Sequence, residues 1–367
     1  MSLDQTSRTP AFSRWLFAAI LTISTLFVAG GASAQPFGAW LTQGGNPSTG
    51  HVTIPASPAL NPTAAYTFEA WVSISNNPAG EDCRSIAGKN FQQAWWIGLC
   101  TVGGKPTLRS YLKGGGSARN GGQIEVGRWT HIAVVFNGTK RLHYINGELA
   151  AQFDETGPLS TSGAPMKIGS DDAWAFTPTG AIDEVRLWNV ARSEAQLRAN
   201  LGREITGAES GLVAVWGLNG NANDVVGPYD GSTTGTNVGF LTFPVTLNCG
   251  SNTATSLCLL DRFSISARWR TDPAGTLTND QAKVAGAAND GSGLFQFFGP
   301  DNWEILVKSL NGCGLNDRYW LFSAATTNVF YRMEVLDVKA GKQNIYFNYP
   351  GPPAPAVTDT DAFATCP

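Results

Sequence analysis

Apolar and polar residues alternate over many short stretches of the chain, and this period of two predicts β-strands. The stretch beginning at Tyr66 reads Y-T-F-E-A-W-V-S-I-S, which puts Phe68, Ala70, Val72 and Ile74 on one face and polar residues mostly on the other. Gly, Asn or Asp residues bound the similar runs, as turns require. Those runs cover residues 84–87, 94–99, 107–112, 130–136, 166–169, 181–188 and 211–218.

Two local signals interrupt or join these strands. Asn146-Gly147 lies between two alternating arms and can adopt the positive φ angles of a type I′ turn, which predicts a hairpin. Ser193 followed by Gln196 is a capping-box pattern that predicts a short helix, which Gly202 would end. We find no internal repeat of propeller period, so the pattern favours a two-sheet jelly roll with one helical connector.

A second set of alternating runs follows a stretch rich in Gly, Ser and Thr. We interpret residues 226–245 as a linker and residues 246–367 as a smaller β domain, whose last segment the prolines near residue 350 keep extended. The sequence therefore predicts an all-β protein, an antiparallel two-sheet jelly-roll sandwich followed by a second, smaller β domain. The second set of runs covers residues 262–269, 293–298, 303–310, 319–324, 329–338 and 343–349.

The N-terminus has the order of a secretory signal. Arg8 and Arg14 precede an apolar run over residues 15–29, and Ala32-Ser33-Ala34 then forms an A-x-A site ahead of Gln35. The run is shorter than the roughly 20 apolar residues that a membrane-spanning helix needs. We expect residues 1–34 to be removed, leaving a secreted protein, extracellular or periplasmic, with no membrane span.

Composition and charge agree with this interpretation. The 42 Gly, 20 Pro and 14% charged residues are typical of short strands joined by tight turns. Loss of residues 1–34 would change the net charge from -3 to -4. A mildly acidic surface argues against nucleic acid as a partner, because phosphate contacts need clustered Lys and Arg.

The first domain contains two cysteines and the second contains four. An even number in each domain allows every cysteine to form a disulfide within its own domain, as expected in an oxidising compartment. We expect Cys83 to pair with Cys100, because the strands between them should form a hairpin. The last four allow three connectivities. Among these we favour Cys249 with Cys258 and Cys313 with Cys366. No C-x-x-C motif occurs, which argues against zinc or redox chemistry.

Four segments resemble the laminin-G-like, pentraxin-related branch of the concanavalin-A-like lectin and glucanase superfamily. They are Y-T-F-E-A-W-V at 66–72, the segment from G-R-W-T-H-I to Y-I-N-G-E at 127–148, G-A-I-D-E-V-R-L-W-N-V-A-R-S at 180–193 and G-L-V-A-V-W-G-L-N at 211–219. The resemblance covers a domain that we place at 35–225. It implies a sandwich of two curved antiparallel sheets that serves as a carbohydrate or protein-ligand module. The segment after the linker resembles a domain that recurs, without assigned function, at the end of secreted bacterial proteins.

The same resemblance implies a bound calcium ion. In related modules the Asp of the I-D-x-V-R strand, here Asp183, binds structural calcium together with backbone carbonyls near the N-terminus of the domain. Calcium prefers such hard oxygen ligands. The alternative for Asp183 is that its carboxylate only accepts hydrogen bonds from a loop. Asp171 and Asp172 form a second possible site at the rim, and a solvated loop is the alternative there.

Aromatic residues that can stack on sugar rings indicate where a glycan could bind. If W-W-I-G-L is a strand, alternation sends one of Trp95 and Trp96 away from the core, to be covered by a loop, by the second domain or by a ligand. Trp174, in the loop D-D-A-W-A-F, is a further ligand-binding candidate. Packing between loops or domains is the alternative for all three.

No catalytic constellation is evident in the sequence. The E-x-D-x-x-E motif of the glucanase branch is absent, as is G-x-S-x-G. Asp183 and Glu184 are adjacent, so on a regular strand they would point to opposite faces and could not flank one glycosidic bond. We therefore expect a non-catalytic protein that recognises polysaccharide or glycan. The alternatives are an adhesion or structural component that binds an extracellular protein, and, less favoured, a glycoside hydrolase.

Overall fold

Antiparallel strands form both halves of the molecule. The computed structural model describes residues 39–41, 50–78, 83–114, 116, 118–173, 176–235, 238–240, 246–272 and 280–367. The expected signal peptide lies outside the described residues. The fold is all-β, with one two-sheet jelly-roll sandwich followed by a second β domain.

Fifteen described strands, one short 3-10 helix (Pro58–Leu60) and one α-helix build the first domain. In chain order these are β1 (Ala39–Leu41), β2 (Gly50–Ile54), β3 (Tyr66–Ile74), β4 (Cys83–Gly88), β5 (Trp96–Val102), β6 (Lys105–Tyr111), β7 (Arg119–Gln123), β8 (Thr130–Phe136), β9 (Lys140–Ile145), β10 (Glu148–Asp154), β11 (Met166–Ile168), β12 (Gly180–Trp188), α1 (Glu194–Asn200), β13 (Leu212–Trp216), β14 (Ser232–Gly235) and β15 (Val238–Phe240).

The strands of the first domain divide into two sheets. The first sheet has the order β10-β9-β8-β3-β12-β1-β15, with β13 also paired to β12, and the second sheet has the order β14-β2-β11-β4-β5-β6-β7. Apolar side chains on the facing surfaces form one continuous core, to which β3 contributes Phe68, Ala70 and Val72 and β8 contributes Ile132 and Val134. The predicted alternation is the reason these residues meet, since every second side chain of a strand points to the same face.

The hairpin and the helix form as predicted. Asn146 and Gly147 have φ angles of 50° and 76° and join β9 to β10. Ser193 accepts a hydrogen bond from the Gln196 backbone while the Gln196 side chain accepts one from the Ser193 N–H, which completes the capping box of α1.

The expected linker over residues 226–245 needs correction. Ser232–Gly235 forms β14, which pairs with β2, and Val238–Phe240 forms β15, which pairs with β1. Both are edge strands of the first domain. S-T-T-G lacks an apolar alternation, and V-G-F is only three residues long, although Phe240 packs against the core. Edge strands are held by backbone hydrogen bonds and need not contribute a long row of core side chains.

The second domain is also made of two sheets. Its elements are β16 (Ser256–Leu259), β17 (Phe263–Arg270), β18 (Asp280–Gln281), β19 (Lys283–Asn289), β20 (Ser292–Gln296), β21 (Trp303–Asn311), α2 (Cys313–Asn316), β22 (Tyr319–Ala325), β23 (Phe330–Asp337), β24 (Lys342–Asn348) and β25 (Val357–Phe363). The third sheet of the molecule has the order β16-β17-β23-β24, with β18 on β17, and the fourth has the order β19-β20-β21-β22-β25.

Three disulfides join the expected pairs. Cys83 bonds to Cys100 across the neighbouring strands β4 and β5. Cys249 bonds to Cys258, and Cys313 bonds to Cys366. The last bond, together with the pairing of β25 to β22, fixes the extended C-terminal segment to the fourth sheet.

The second domain packs on the outer face of the first sheet. Trp71 of β3 stacks on Phe347 of β24 with ring centroids 6.4 Å apart, and Leu201, at the end of α1, belongs to the same buried cluster. The Tyr349 hydroxyl donates a 2.9 Å hydrogen bond to the Asn146 carbonyl. The centre of that face of the first sheet is therefore buried by α1 and by the second domain.

Charged residues surround this contact between the domains. Arg270 pairs with Glu148, and Arg128 Nη1 lies 3.0 Å from Glu334 Oε1. Because each pair joins one domain to the other, the ion pairs fix the orientation in which the sheets meet. Across the described part of the chain, no helix has the length and apolar character needed to cross a bilayer.

Candidate binding face and buried carboxylates

The outer face of the second sheet is the remaining broad face of the first sandwich. Residues opposite one another in an antiparallel sheet lie on the same face. The register therefore places Lys167, Gly88, Trp96 and Tyr111 in one row across β11, β4, β5 and β6 on this face. We refer to this outer surface of the second sheet as the open face.

Trp95 and Trp96 separate as the alternation predicted. Trp95 is 1% exposed and packs between the sheets against Tyr66 and Phe68, so it presents no surface to a ligand. Trp96 points to the open face, but it is only 2% exposed. Its indole N–H donates a 2.7 Å hydrogen bond to Ser85 Oγ. Trp96 is thus covered by protein and forms the floor of the open face.

Phe91 and Tyr111 supply the accessible aromatic rings. Both are half-buried, and they contact each other with ring centroids 5.6 Å apart. Tyr111 meets Trp96 edge-on at 5.9 Å. Neither residue was predicted from the sequence as a ligand-binding candidate. The pairing of Tyr111 with Trp96 follows from strand register, whereas Phe91 lies in a loop for which no periodic signal exists.

Asp171 holds the loop that carries Phe91. Its carboxylate accepts hydrogen bonds from the backbone N–H groups of Asn90 at 2.6 Å, Phe91 at 3.1 Å and Ala173 at 2.9 Å. Burial raises the pKa of Asp171, although these hydrogen bonds oppose the rise. Asp171 is fully buried, so the structure gives it a positioning role toward Phe91.

Polar side chains flank the aromatic rings. The Arg109 Nε–H donates to Asn120 Oδ1, and Arg109 lies opposite Gly98, beside Trp96. On the other side of the rings, Lys167 Nζ lies 2.5 Å from Asp172 Oδ1. Asp172 is therefore paired with a lysine. The open face combines aromatic rings with hydrogen-bond donors and acceptors, which is the composition of a sugar-binding surface.

Trp174, the third aromatic candidate, lies outside the described residues. It follows Ala173, whose N–H is bonded to Asp171.

Asp183 and Glu184 lie on the same side of the first sheet, contrary to the expectation from regular alternation. The register of β12 against β3 shifts between Asp183 and Arg186, and Glu184 has a φ angle of 47°. A β-bulge of this kind adds a residue without changing face. Glu184 Oε2 lies 2.9 Å from Arg186 Nη2, and Asp183 also interacts with that guanidinium.

Burial separates both carboxyl groups from any substrate in solvent. Asp183 is 0% exposed and Glu184 is 2% exposed. Asp183 Oδ1 accepts a 2.8 Å hydrogen bond from the Glu184 N–H, whereas Asp183 Oδ2 has no hydrogen-bond partner among the described residues. A buried carboxylate oxygen without a partner fits a cation ligand.

Further oxygens for such a cation would come from the backbone. The described residues contain no group of three or more His, Cys, Asp or Glu side chains that could hold a metal. Ala39 of β1 lies opposite Ile182, the residue before Asp183.

Buried charges elsewhere on the first sheet are paired. Glu69 lies 2.8 Å from Arg192 Nη1 and 3.2 Å from His131 Nε2. Burial alone would raise the pKa of Glu69, but the His131 hydrogen bond and the Arg186 and Arg192 charges lower it to about 2. The Glu69 carboxylate is thus ionised and paired.

The fourth sheet has an exposed apolar outer face on the second domain. Trp303, Leu306 and Leu310 of β21 are 60%, 40% and 38% exposed. Trp320 and Phe322 of the neighbouring β22 are half-buried on the same face, with ring centroids 6.3 Å apart. The alternation of β21 and β22 predicted strands here but not which face would stay uncovered.

Comparison with known proteins confirms the family resemblance of the first domain. Residues 44–198 match the family model described as the concanavalin A-like lectin/glucanases superfamily. No curated protein matches the chain.

Three solved structures similar to the chain cover 57%, 45% and 42% of its length. One is a candidate carbohydrate-binding protein from Bacteroides ovatus, 24% identical, covering 57% of this chain and 62% of that protein, with a TM-score of 0.44. The chain therefore spans less than two thirds of that protein. Another is a heptameric SAP-like pentraxin from Limulus polyphemus. It is 16% identical and covers 45% of this chain and 82% of that protein, with a TM-score of 0.37. A third is domain 4 of the extracellular arabinanase AbnA from Geobacillus stearothermophilus, in complex with arabinotriose. It is 22% identical and covers 42% of this chain and 72% of that domain, with a TM-score of 0.34.

Proposed function

We propose that the protein is a secreted, non-catalytic module that binds polysaccharide or glycan through the open face of its first domain. The observation that carries the proposal is the cluster of Phe91 and Tyr111 over Trp96. Half-buried rings held by a packed floor lose little conformational freedom when a sugar stacks on them, so they favour binding. Three disulfides support an oxidising location outside the cytoplasm.

The chemistry of the face supports recognition rather than bond cleavage. Retaining hydrolysis needs two carboxyl groups about 5 Å apart across the bond. The adjacent pair Asp183 and Glu184 is buried on the other sheet, and Asp171 and Asp172 are engaged by backbone N–H groups and by Lys167. We therefore expect no release of reducing ends from any polysaccharide that the protein retains.

Retention on insoluble polysaccharides and on a glycan array tests the proposal. Phe91→Ala and Tyr111→Ala should each lower retention at least tenfold while the protein stays folded, because both rings are only half-buried and lie outside the main core. Trp303→Ala, which removes an exposed aromatic side chain from the second domain, is the matched control and should bind normally. Trp174→Ala belongs in the same panel. Trp96→Ala does not, because it would leave a cavity under the face.

A protein-binding or adhesion role is the second candidate. The exposed face of Trp303, Leu306 and Leu310 favours it, since apolar patches of this kind mark protein contacts. The same panel separates the two. Retention on no glycan, or retention lost with Trp303→Ala and kept with Tyr111→Ala, would support the second candidate and contradict the first.

We further propose that Asp183 ligates a structural calcium ion through Oδ2. The ion would neutralise the buried carboxylate and connect β12 to backbone oxygens of neighbouring segments of the same chain. A chelator should lower the melting temperature of the parent protein, and Asp183→Asn should remove the difference. Asp154→Asn, at a side chain 90% exposed, is the control and should respond as the parent does. Titration of calcium into chelator-treated protein that takes up no ion would contradict the proposal.

A further inference from the structure

A cavity of about 600 Å³ lies at one end of the second domain, away from the open face. Turns from both of its sheets converge there. The hairpin after β16 contributes Asp261 and Arg262, the turn after β19 contributes Asp290, and β21 and the turn after β23 contribute Asn311 and Lys339. This volume is within the range of roughly 300–1,000 Å³ that small-molecule sites occupy.

Hydrogen bonds within the protein fix the walls of the cavity before any ligand binds. Arg262 forms a double hydrogen bond to Asp337, at 2.9 and 2.8 Å, and donates to the Thr365 carbonyl and the Tyr319 hydroxyl. The Leu260 N–H donates to the Asp290 carbonyl at 2.6 Å. Pre-organised walls lower the entropy lost on binding.

A disulfide and a constrained turn hold the rim. Cys258 and Gly250 line the cavity, and the bond from Cys249 to Cys258 fixes this segment to β16. Leu260 and Asp261 both have positive φ angles, 55° and 50°, which residues other than Gly and Asn rarely adopt. The turn thereby presents Asp261 toward the cavity, where its side chain is 63% exposed.

The charges of the lining exclude an anionic ligand. Asp261 and Asp290 contribute two negative charges. Lys339 contributes one positive charge, and its Nζ lies 4.0 Å from Asp261 Oδ2. The Arg262 guanidinium is already neutralised by Asp337. An anion would therefore meet a net negative wall, which repels it.

The lining also argues against a metal ion and for a hydroxylated ligand. The volume of about 600 Å³ is far more than one ion fills. Carboxylates accept hydrogen bonds, and Lys339 donates them. The Asn311 oxygen accepts a 3.0 Å hydrogen bond from the Cys313 N–H, so the amide N–H groups are what Asn311 can offer to a ligand. Sugar hydroxyl groups both donate and accept, so they match this mixture.

We infer that this cavity is a second, separate binding site for a neutral sugar, independent of the open face. Arg262 covers the ring of Tyr319, with its Cζ 4.4 Å from the ring centroid, so the ring has no free face for stacking. Recognition there rests on hydrogen bonds, in contrast to the aromatic platform of the open face.

Saturation-transfer NMR with a panel of free sugars tests the inference. The panel contains glucose, galactose, mannose, arabinose and N-acetylglucosamine, with glucosamine and glucuronate as charged counterparts. The whole protein should give a signal with at least one neutral sugar. That signal should persist in Phe91→Ala/Tyr111→Ala and fall at least fivefold in Asp261→Asn/Asp290→Asn, whose two changes lie at exposed side chains.

Lys339→Ala is the second cavity variant and should weaken the same signal. A neutral-sugar signal that both cavity variants leave intact would overturn the inference, as would no signal with any neutral sugar. A signal confined to glucosamine or glucuronate would also overturn it. If the open face does not bind glycan, Phe91→Ala and Tyr111→Ala will be retained on polysaccharide as the parent protein is. This result is independent of the NMR signal from the cavity.

Discussion

At the scale of single residues, small or polar side chains set the geometry of the open face. Gly98 lets the Trp96 indole lie flat on the sheet, since a Cβ atom there would meet the indole at 2.4 Å and the Arg84 carbonyl at 2.3 Å. Asp171 holds the Phe91 loop through three backbone N–H groups. The aromatic surface therefore depends on residues that would not themselves touch a ligand.

Gly98→Ala should lower the free energy of unfolding by about 1–3 kcal/mol, because the backbone carbonyl cannot move aside and the indole must be displaced. Gly163→Ala is the matched control, since nothing lies within 4 Å of a Cβ atom at that position. Urea unfolding monitored by tryptophan fluorescence measures both. Equal stability of the two variants would contradict this description of the floor.

His143 should make the first domain less stable in acid. Burial lowers its pKa to about 3, and the Arg141 charge contributes, whereas the hydrogen bond to the Gly121 carbonyl opposes the shift. Between pH 6.5 and about 3 the unfolded chain holds a proton that the folded chain does not. The free energy of unfolding should then fall as the pH falls, by about 1.4 kcal/mol per pH unit for this group.

His143→Gln should reduce that slope, because Gln does not titrate and can still bond to Ser110, whose Oγ lies 2.7 Å from His143 Nε2. Urea unfolding of the parent and the variant at a series of pH values from 7 to 4 provides the comparison. Parallel curves would show that His143 does not titrate as described.

At the scale of elements, strands with an apolar alternation could be predicted and strands without one could not. Thr130–Phe136 has the predicted bounds, and the helix begins after its capping residue. Arg119–Gln123, with the sequence R-N-G-G-Q, and Ser232–Gly235 pair at sheet edges through backbone groups, with added side-chain hydrogen bonds from Arg109 to Asn120 and between Thr53 and Thr234. Nothing in such sequences distinguishes an edge strand from a loop.

The candidate site could be predicted only in part for a related reason. Alternation showed that Trp95 and Trp96 point to opposite faces. It could not show that Phe91 and Tyr111 cover Trp96, because that contact depends on loop conformation and strand register. The bulge at Glu184 could not be predicted either, since the extra residue that keeps Asp183 and Glu184 on one side of the sheet has no signal in the residue pattern.

The Cys83–Cys100 disulfide should stabilise the strand pair under the open face. It closes a loop with a sequence separation of 17, for which the loss of chain entropy in the unfolded state is worth about 3 kcal/mol. Cys83→Ala/Cys100→Ala should lower the free energy of unfolding by about that amount. Cys249→Ala/Cys258→Ala, with a separation of 9, should cost less. The reverse order in urea unfolding would contradict the entropic account.

At the scale of the whole molecule, the second domain buries the outer face of the first sheet. Gly147 lies at this contact, where a Cβ atom would be 2.8 Å from both Leu201 Cδ1 and the Tyr349 hydroxyl. Arg198 lies over the Tyr349 ring at 3.7 Å. The hairpin turn is thus constrained by the partner domain as well as by its positive φ angle, and the domain contact leaves the opposite sheet as the open face.

Phe347→Ala/Tyr349→Ala should loosen this contact while both cores remain intact, because the two rings lie outside the core of the second domain. Calorimetry should then resolve two transitions, and small-angle scattering should give a larger maximum dimension. Phe322→Ala, on the opposite outer face of that domain, is the control and should leave both unchanged. An unaltered dimension in the double variant would show that the domains are joined by other means.

Hydrogen–deuterium exchange with and without a retained oligosaccharide tests the central claim most directly. The sugar should be one that the glycan array selects for the parent protein. Binding to the open face should slow exchange in the peptides that span residues 83–111, where β4, β5, β6 and the Phe91 loop lie. Protection confined to the first sheet or to the second domain, with those peptides unchanged, would contradict the account.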